Sequence, residues 1–168
     1  LLASVRDITP RVQSEERLRE SEERFRRLVQ DLPNVAVQGY DAQRRVTFWN
    51  AASESLYGYT AEEALGWQLE DLIIPAPMRE DVIAGVSAWV EGGPPIPPGE
   101  LVLRRKDGTP VEVFSSHVML ENARGEREMH CIDIDLSGRR QAEAELRESE
   151  ARFRGMLEQN IAAIFMVE

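Results

Sequence analysis

The sequence contains few of the residues on which disulfide-stabilised, metal-binding and membrane-spanning proteins depend. Its 168 residues include one cysteine, Cys131, and two histidines. An internal disulfide is therefore impossible, and no histidine–cysteine spacing typical of a metal site is present. The longest purely apolar run, 161–167, has seven residues, whereas a membrane helix needs about 20. These absences predict a reducing compartment, and we expect this part of the chain to be cytoplasmic and without membrane contact.

Positive charge is also scarce. Lys and Arg total 20 against 30 Asp and Glu, which gives a net charge of −10 with neutral histidines. Nucleic acids and anionic membranes are bound through clustered Lys and Arg that neutralise phosphates. The charge balance therefore argues against both partners, while the 42% of hydrophobic residues predicts an ordinary globular core.

Signals of catalysis are weak. Ser115, Ser116 and His117 are consecutive on a predicted strand, where successive side chains point to opposite faces, and the sequence has no Gly-x-Ser-x-Gly elbow. Asp133 and Asp135 share a strand face, but their position beside a helix start favours strand-end solvation and capping. A phosphoacceptor histidine would lie on a helix, whereas both histidines fall in predicted strands. We therefore predict a regulatory module rather than an enzyme.

An internal repeat indicates how the chain is organised. The segment 18–26 recurs at 146–154 with eight of nine residues identical, at an offset of 128 residues. One repeating unit with its connecting helix therefore occupies this length, and we expect both ends of the sequence to belong to adjoining units. The predicted divisions are a remnant of a preceding domain, a linker helix, a central core, a second linker helix and the start of a following domain (1–9, 10–33, 34–136, 137–158 and 159–168).

The linker helices carry a narrow apolar stripe. Thr9 and Pro10 form a helix start, and Leu18, Phe25 and Leu28 follow at heptad spacing within an otherwise charged segment. We call these last three residues the α1 seam. A stripe this narrow favours pairing with another helix over burial in a domain core, so we predict a homodimer through the linker helices.

The order of predicted elements indicates an α+β fold. Asn50 is placed to cap a short helix at 51–57, and Thr60 and Glu63 form a capping box for the next. A longer helix follows Pro77, and Asp107-Gly108 is a hairpin signal between later strands. The predicted strands are Val35–Tyr40, 45–49, 101–105, 111–120 and 128–135. Two strands, several helices and a three-strand meander predict helices layered on one antiparallel sheet.

The order of these elements and several short sequence motifs within them resemble the PAS domain family. The matching stretches are Phe-Trp-Asn-Ala-Ala at 48–52, Leu-Tyr-Gly-Tyr-Thr-Ala-Glu-Glu-Ala-Leu-Gly at 56–66, Arg-Lys-Asp-Gly-Thr at 105–109 and Asp-Ile-Asp-Leu-Ser at 133–137. The resemblance covers about residues 24–136. It implies a five-stranded antiparallel sheet with short helices on one face, enclosing a small cavity. It further implies a sensory or dimerisation module of a bacterial signalling protein, such as a two-component histidine kinase or a diguanylate cyclase.

The resemblance leaves the ligand open. Relatives that bond flavin covalently need a cysteine that 66–72 lacks, and haem-binding relatives usually offer a histidine that 78–91 lacks, so both cofactors are disfavoured. A non-covalent flavin in a redox sensor is the alternative to a small-molecule ligand or no ligand. The candidate cavity residues are Asn50, Tyr57, Trp67, Trp89 and His117, with Trp49 as a further aromatic. The competing interpretation is that the aromatics fill the core and that Asn50 caps its helix.

The junction between the last strand and the following helix is the expected route for a signal. Ser137 is predicted to cap the exit helix and Asp135 to end the last strand, so a signal passing from sheet to helix crosses both. The partners expected are a second copy and neighbouring domains of the same chain. The runs 1–8 and 161–167 are predicted to be strands of the adjoining domains, and the second is expected to pack on another chain.

Overall fold

The computed structural model of the chain describes residues 9–122 and 124–165. A five-stranded antiparallel sheet forms its centre, in the order β2-β1-β5-β4-β3. The first and last strands are therefore neighbours, paired from Val35 with Ile134 to Tyr40 with Met129. The strands are β1 (Val35–Tyr40), β2 (Val46–Trp49), β3 (Gly99–Arg104), β4 (Pro110–Glu121) and β5 (Arg127–Asp135). The predicted α+β architecture is confirmed.

The helices between β2 and β3 cover one face of the sheet. They are α2 (Ala51–Tyr57), α3 (Ala61–Ala64), α4 (Leu69–Leu72), the 3-10 turn Ala76–Met78 and α5 (Arg79–Val90). The Asn50 side chain accepts from Ser53 N at the start of α2, and Gly58, with φ of 80°, ends that helix. The capping box of α3 is present. These local signals hold the short helices where none would be stable alone.

Alternation along β5 separates the two faces of the sheet. Met129, Cys131 and Asp133 are buried beneath the helices, whereas Ile132 and Ile134 are exposed on the opposite face. This is the period-two pattern of a strand with one covered face. The covered face carries the core, whose largest fully buried side chains include Tyr40, Tyr57 and Ile73.

Two long helices flank this core, α1 (Thr9–Gln30) and α6 (Ser137–Phe165). The α1 seam is largely exposed: Leu18 keeps 61% of its surface and Phe25 69%. Leu146, Phe153 and Met156 of α6 are exposed in the same way. Neither these helices nor any other in the described ranges is long and apolar enough to cross a membrane.

The structure differs from the sequence-based expectation at the C-terminal end. Residues 161–165 continue α6 as helix, so the strand predicted there is wrong for those residues. A strand needs a neighbouring strand to pair its backbone, whereas a helix satisfies its own N–H and C=O groups. Residues 166–168 and the predicted strand at 1–8 lie outside the described residues. The short helix α4 was not predicted, since its four residues carry no periodic signal.

Candidate functional site

A cavity of about 440 Å³ lies between α5 and the covered face of the sheet. Val82, Gly85 and Val86 line it from α5, because positions three and four apart share one helix face. The loop between α5 and β3 closes one side with Pro94, Pro95, Ile96 and Pro97. The rest of the wall is mostly aliphatic, including Ile73, Ile74, Leu101 and Leu103.

Polar side chains from three adjacent strands lie at the floor of this cavity. Gln38 and Tyr40 come from β1, Ser115 and His117 from β4, and Asp133 from β5. Gln38, Tyr40 and Asp133 are fully buried. We call these five residues the polar floor. Their spacing of two along each strand places them all on the covered face.

Several atoms of the polar floor have no hydrogen-bond partner among the described residues. They are Gln38 Oε1, Tyr40 Oη, His117 Nδ1 and Asp133 Oδ1. Buried polar atoms are nearly always paired in folded proteins, and leaving one unpaired costs about 1–3 kcal/mol. A group of them around one cavity is therefore the arrangement expected of a binding site.

Asp133 dominates the electrostatics of the site. Tyr57 Oη donates to Asp133 Oδ2 at 2.6 Å. Burial raises the pKa of Asp133 above 3.8, although the nearby Ser115 hydroxyl and the Tyr57 hydrogen bond oppose this rise. Burial, together with the nearby Asp133 carboxylate, raises the pKa of Tyr57 well above 10.0. Burial also lowers the pKa of His117 below 6.5, so this imidazole is neutral at pH 7.

Ser115 and His117 form a pair that the sequence analysis did not foresee. Ser115 Oγ and His117 Nε2 are 3.1 Å apart, because residues two apart on a strand share a face; only Ser116 points away. His117 Nδ1 has no partner in the described part of the chain, so no third group orients the ring as a catalytic base requires. The pair thus presents two hydrogen-bonding side chains to the cavity.

Of the five candidate cavity residues predicted from the sequence, His117 lines the cavity and the others do not. Asn50 is buried and caps α2. Tyr57 is buried behind Asp133, with its ring 5.5 Å from that of Trp49, so both aromatics fill the core. Trp89 packs partly buried against the same core.

Trp67 lies elsewhere and is 59% exposed. The backbone around it is held against β2, since Val46 N donates to Trp67 O and Gly66 N donates to Val46 O. This places Trp67 at the β2 edge of the sheet, away from the cavity. The aromatic wall on which the flavin alternative depended is therefore not formed by these residues.

Sequence reasoning missed Gln38 and Tyr40 and assigned Asp133 to strand-end solvation. A usable signal was present: Gln38 interrupts an apolar strand, and Asp133 alternates with Met129 and Cys131 on the covered face of β5. A polar residue on a core-facing register needs a partner, which points either to a buried network or to a ligand.

The exit from the sheet is built around Asp135. Its Oδ1 accepts from Ser137 N at 2.8 Å, and Arg105 lies 3.7 Å from its other carboxylate oxygen. Ser137 is the first residue of α6, and Leu136 O accepts from Arg140 N. The cap predicted at Ser137 is therefore wrong: the side chain that satisfies the helix start is that of Asp135, which reaches it because the strand ends two residues earlier.

We expect Asp133→Asn to change how stability depends on pH. The folded-state pKa of Asp133 is raised by burial, so the favourable contribution of its protonated form is complete below 3.8 and is lost as the pH rises through the folded-state pKa. Each tenfold change in proton affinity corresponds to about 1.4 kcal/mol. Chemical unfolding from pH 4 to 8 should therefore show the variant gaining stability relative to the wild type as the pH rises.

Asp107→Asn is the matched control for this prediction. The hydrogen bonds from Thr109 lower the pKa of Asp107, so its contribution has the opposite sign: it is present above 3.8 and lost as the pH falls. Identical pH profiles for the wild type and Asp133→Asn would contradict the assignment of an unfavourable buried carboxylate.

Comparisons with known proteins agree with this geometry. A family model described as "PAS domain" matches residues 34–137. A search of curated proteins finds no significant match. Among solved structures, a PAS domain from Colwellia psychrerythraea is 24% identical, with a TM-score of 0.58 over 70% of this chain and 98% of that one.

Two further structural neighbours come from named signalling proteins. A domain of a sensory box sensor histidine kinase/response regulator from Geobacter sulfurreducens is 22% identical, with a TM-score of 0.56 over 70% of this chain and 96% of that one. The PAS domain of the quorum-sensing receptor RpfR from Cronobacter turicensis, in complex with BDSF, is 15% identical, with a TM-score of 0.52 over 62% and 95%. At these identities the likeness establishes the fold.

Proposed function

Because this chain belongs to the PAS domain family of regulatory sensory modules, we propose that it senses a small molecule held in the cavity beneath α5. The observation that carries the proposal is the polar floor, whose buried Gln38, Tyr40 and Asp133 atoms lack partners among the described residues. The cavity volume of about 440 Å³ falls within the roughly 300–1,000 Å³ of small-molecule sites. The RpfR domain, of the same fold, has been solved in complex with BDSF.

The parent protein is proposed to be a bacterial sensor histidine kinase or a diguanylate cyclase, working in the cytoplasm. The sensor histidine kinase of Geobacter sulfurreducens contains a domain of this fold, which supports the first type. In either parent, the domain acts on neighbouring domains through α1 and α6. A second copy of the chain pairs with it along the α1 seam, whose apolar side chains are exposed in the single chain.

The route from cavity to output follows β5. Asp133 faces the cavity, and Asp135, two residues further along the same strand, holds the first N–H of α6. Arg140 of α6 also pairs with Glu100 of β3 and Glu112 of β4, each at 2.7 Å. Ligand binding therefore shifts the sheet and favours one of two packings of α6 over the other. The resulting change in their free-energy difference is no larger than the difference in the ligand's binding free energy for the two packings.

We expect Asp135→Ala to uncouple output while leaving the fold intact. The variant removes the acceptor for Ser137 N and should lower stability by about 1 kcal/mol, as loss of a helix cap does. Regulation of the full-length parent by its signal should fall to the unregulated level. Glu143→Ala, which removes an exposed partner of Arg139 further along α6, is the matched control, and a normal signal response in Asp135→Ala would contradict the relay.

A thermal-shift screen of metabolites tests the proposed function, with Gly85→Leu as the control. A Cβ at Gly85 meets no atom within 4 Å, and Gly85 lines the cavity, so the larger side chain fills the space that a ligand would take. Metabolites that raise the Tm of the wild type and leave that of Gly85→Leu unchanged would support the proposal. A screen in which no metabolite acts selectively on the wild type would contradict the proposal and favour a structural spacer.

Visible absorption of the purified protein distinguishes the flavin alternative. Flavin peaks would show that the chain is a flavin-binding redox sensor and would overturn the proposal of a colourless ligand.

A further inference from the structure

We propose that the ligand of this cavity is an aliphatic molecule whose single polar head donates hydrogen bonds, as a primary amine or a hydroxyl does, and that anionic heads are excluded. The proposal rests on the proposed function, since it names the chemical class that the same cavity takes. It follows from the hydrogen-bonding capacity of the polar floor and from the charges around the cavity.

Two of the unpartnered atoms of the polar floor are acceptors, Gln38 Oε1 and the carboxylate oxygen Asp133 Oδ1, whereas the Tyr40 hydroxyl can both donate and accept. Gln38 Nε2 donates to Ser53 Oγ at 3.0 Å, which leaves the acceptor Oε1 as the unpartnered atom of this amide. Asp133 Oδ2 accepts from Tyr57 Oη, which leaves Oδ1 unpartnered on the same carboxyl group. Both side chains are more than nine-tenths buried. An ammonium, with three N–H donors, satisfies both atoms, a hydroxyl satisfies one of them, and a carboxylate satisfies neither.

The charged residues that line the cavity are acidic. Asp133 lies at the floor and Asp81 on α5, and the lining contains no lysine or arginine in the described part of the chain. Arg44, in the turn between β1 and β2, is already engaged by Glu70 at 3.0 Å. An anion entering this space would lose its hydration without gaining a cation partner, whereas an ammonium would gain Asp133.

The other lining residues indicate the chemistry of the rest of the ligand, beyond its polar head. Ile73, Ile74, Val82, Leu101 and Leu103 present aliphatic surface, and the α5–β3 loop adds three prolines. Among the described lining residues, Tyr40 and His117 supply the only aromatic rings, both at the floor, so the wall suits an alkyl or alicyclic chain better than a stacked planar ring.

Three probes with the same chain and different heads test the proposal: octylammonium, 1-octanol and octanoate, titrated calorimetrically into the wild-type protein at pH 7.5. We expect octylammonium and 1-octanol each to bind at least tenfold more tightly than octanoate. Gly85→Leu should weaken all probe binding at least tenfold, which locates it in the cavity.

Two floor variants test the origin of the preference. Asp133→Asn should lower the affinity ratio of octylammonium to octanoate at least tenfold. Gln38→Met removes the Oε1 acceptor and keeps a side chain of similar length, so it should weaken 1-octanol binding. This variant tests the preference if Asp133→Asn does not fold.

The outcomes separate the inference from the proposed function. Octanoate binding as tightly as octylammonium, with binding lost in Gly85→Leu, would overturn the donor-head inference and leave ligand sensing intact. A ratio unchanged in Asp133→Asn would overturn it as well. Binding of none of the three probes to the wild type would overturn the proposed function and the inference together.

Discussion

Asn50→Ala is expected to lower the free energy of unfolding by about 3–5 kcal/mol, a loss at the upper end of single substitutions. Asn50 Oδ1 accepts from Val37 N and Ser53 N, both at 2.9 Å. Its Nδ2 donates to Val29 O at 3.0 Å and Val35 O at 2.9 Å. One buried side chain thus connects the end of α1, the first strand and the start of α2. Truncation leaves several of these groups buried and unpaired, each costing about 1–3 kcal/mol.

Equilibrium urea unfolding measures this loss, with Asn122→Ala as the matched control. Asn122 also makes several hydrogen bonds, but to groups of the exposed β4–β5 turn such as Glu126 N, where water replaces them. That control should cost about 1 kcal/mol or less. A loss below 1 kcal/mol for Asn50→Ala would show that the network is dispensable.

Leu18→Glu combined with Phe25→Glu is expected to convert a dimer into a monomer. Both side chains are mostly exposed in the single chain, at 61% and 69%, and a heptad seam of this kind buries such residues against a partner helix. Two carboxylates in the seam would have to be desolvated without a partner, which raises the dissociation constant by several orders of magnitude. Sedimentation velocity over a range of protein concentrations measures the change.

Arg27→Glu is the matched control for the seam. It alters net charge as much as the double substitution does, but Arg27 lies on the opposite side of α1, beside Glu23 at 3.9 Å. This variant should remain dimeric. A wild-type chain that is monomeric at all concentrations, or a double variant that sediments as the wild type does, would contradict the paired-helix account.

The elements with strong local signals could be predicted from the sequence. Asn50, the Thr60–Glu63 capping box and Asp107-Gly108 each fix a turn or helix end through contacts a few residues apart. Alternating apolar residues then identified the strands. The α4 helix and the helical extension of α6 to Phe165 carry no such signal, because four residues have no readable period and an apolar run suits either strand or helix.

The site was harder to predict because the sheet brings distant residues together. Gln38 of β1 and Asp133 of β5 meet because these strands pair antiparallel, with Gln38 opposite Cys131. The sequence favours aromatic residues as cavity candidates. In the structure, however, Tyr57 and Trp49 fill the core and Trp67 faces solvent. Which large side chain lines a cavity depends on the packing of α5 against the sheet, and no local pattern encodes that packing.

Hydrogen–deuterium exchange with and without saturating octylammonium tests whether the cavity communicates with the exit helix α6. We expect altered exchange in β5 and at the amides of 137–140, the first turn of α6 beside Asp135, and no change there in Gly85→Leu. Altered exchange in the cavity-lining strands with unchanged exchange at 137–140 would contradict it.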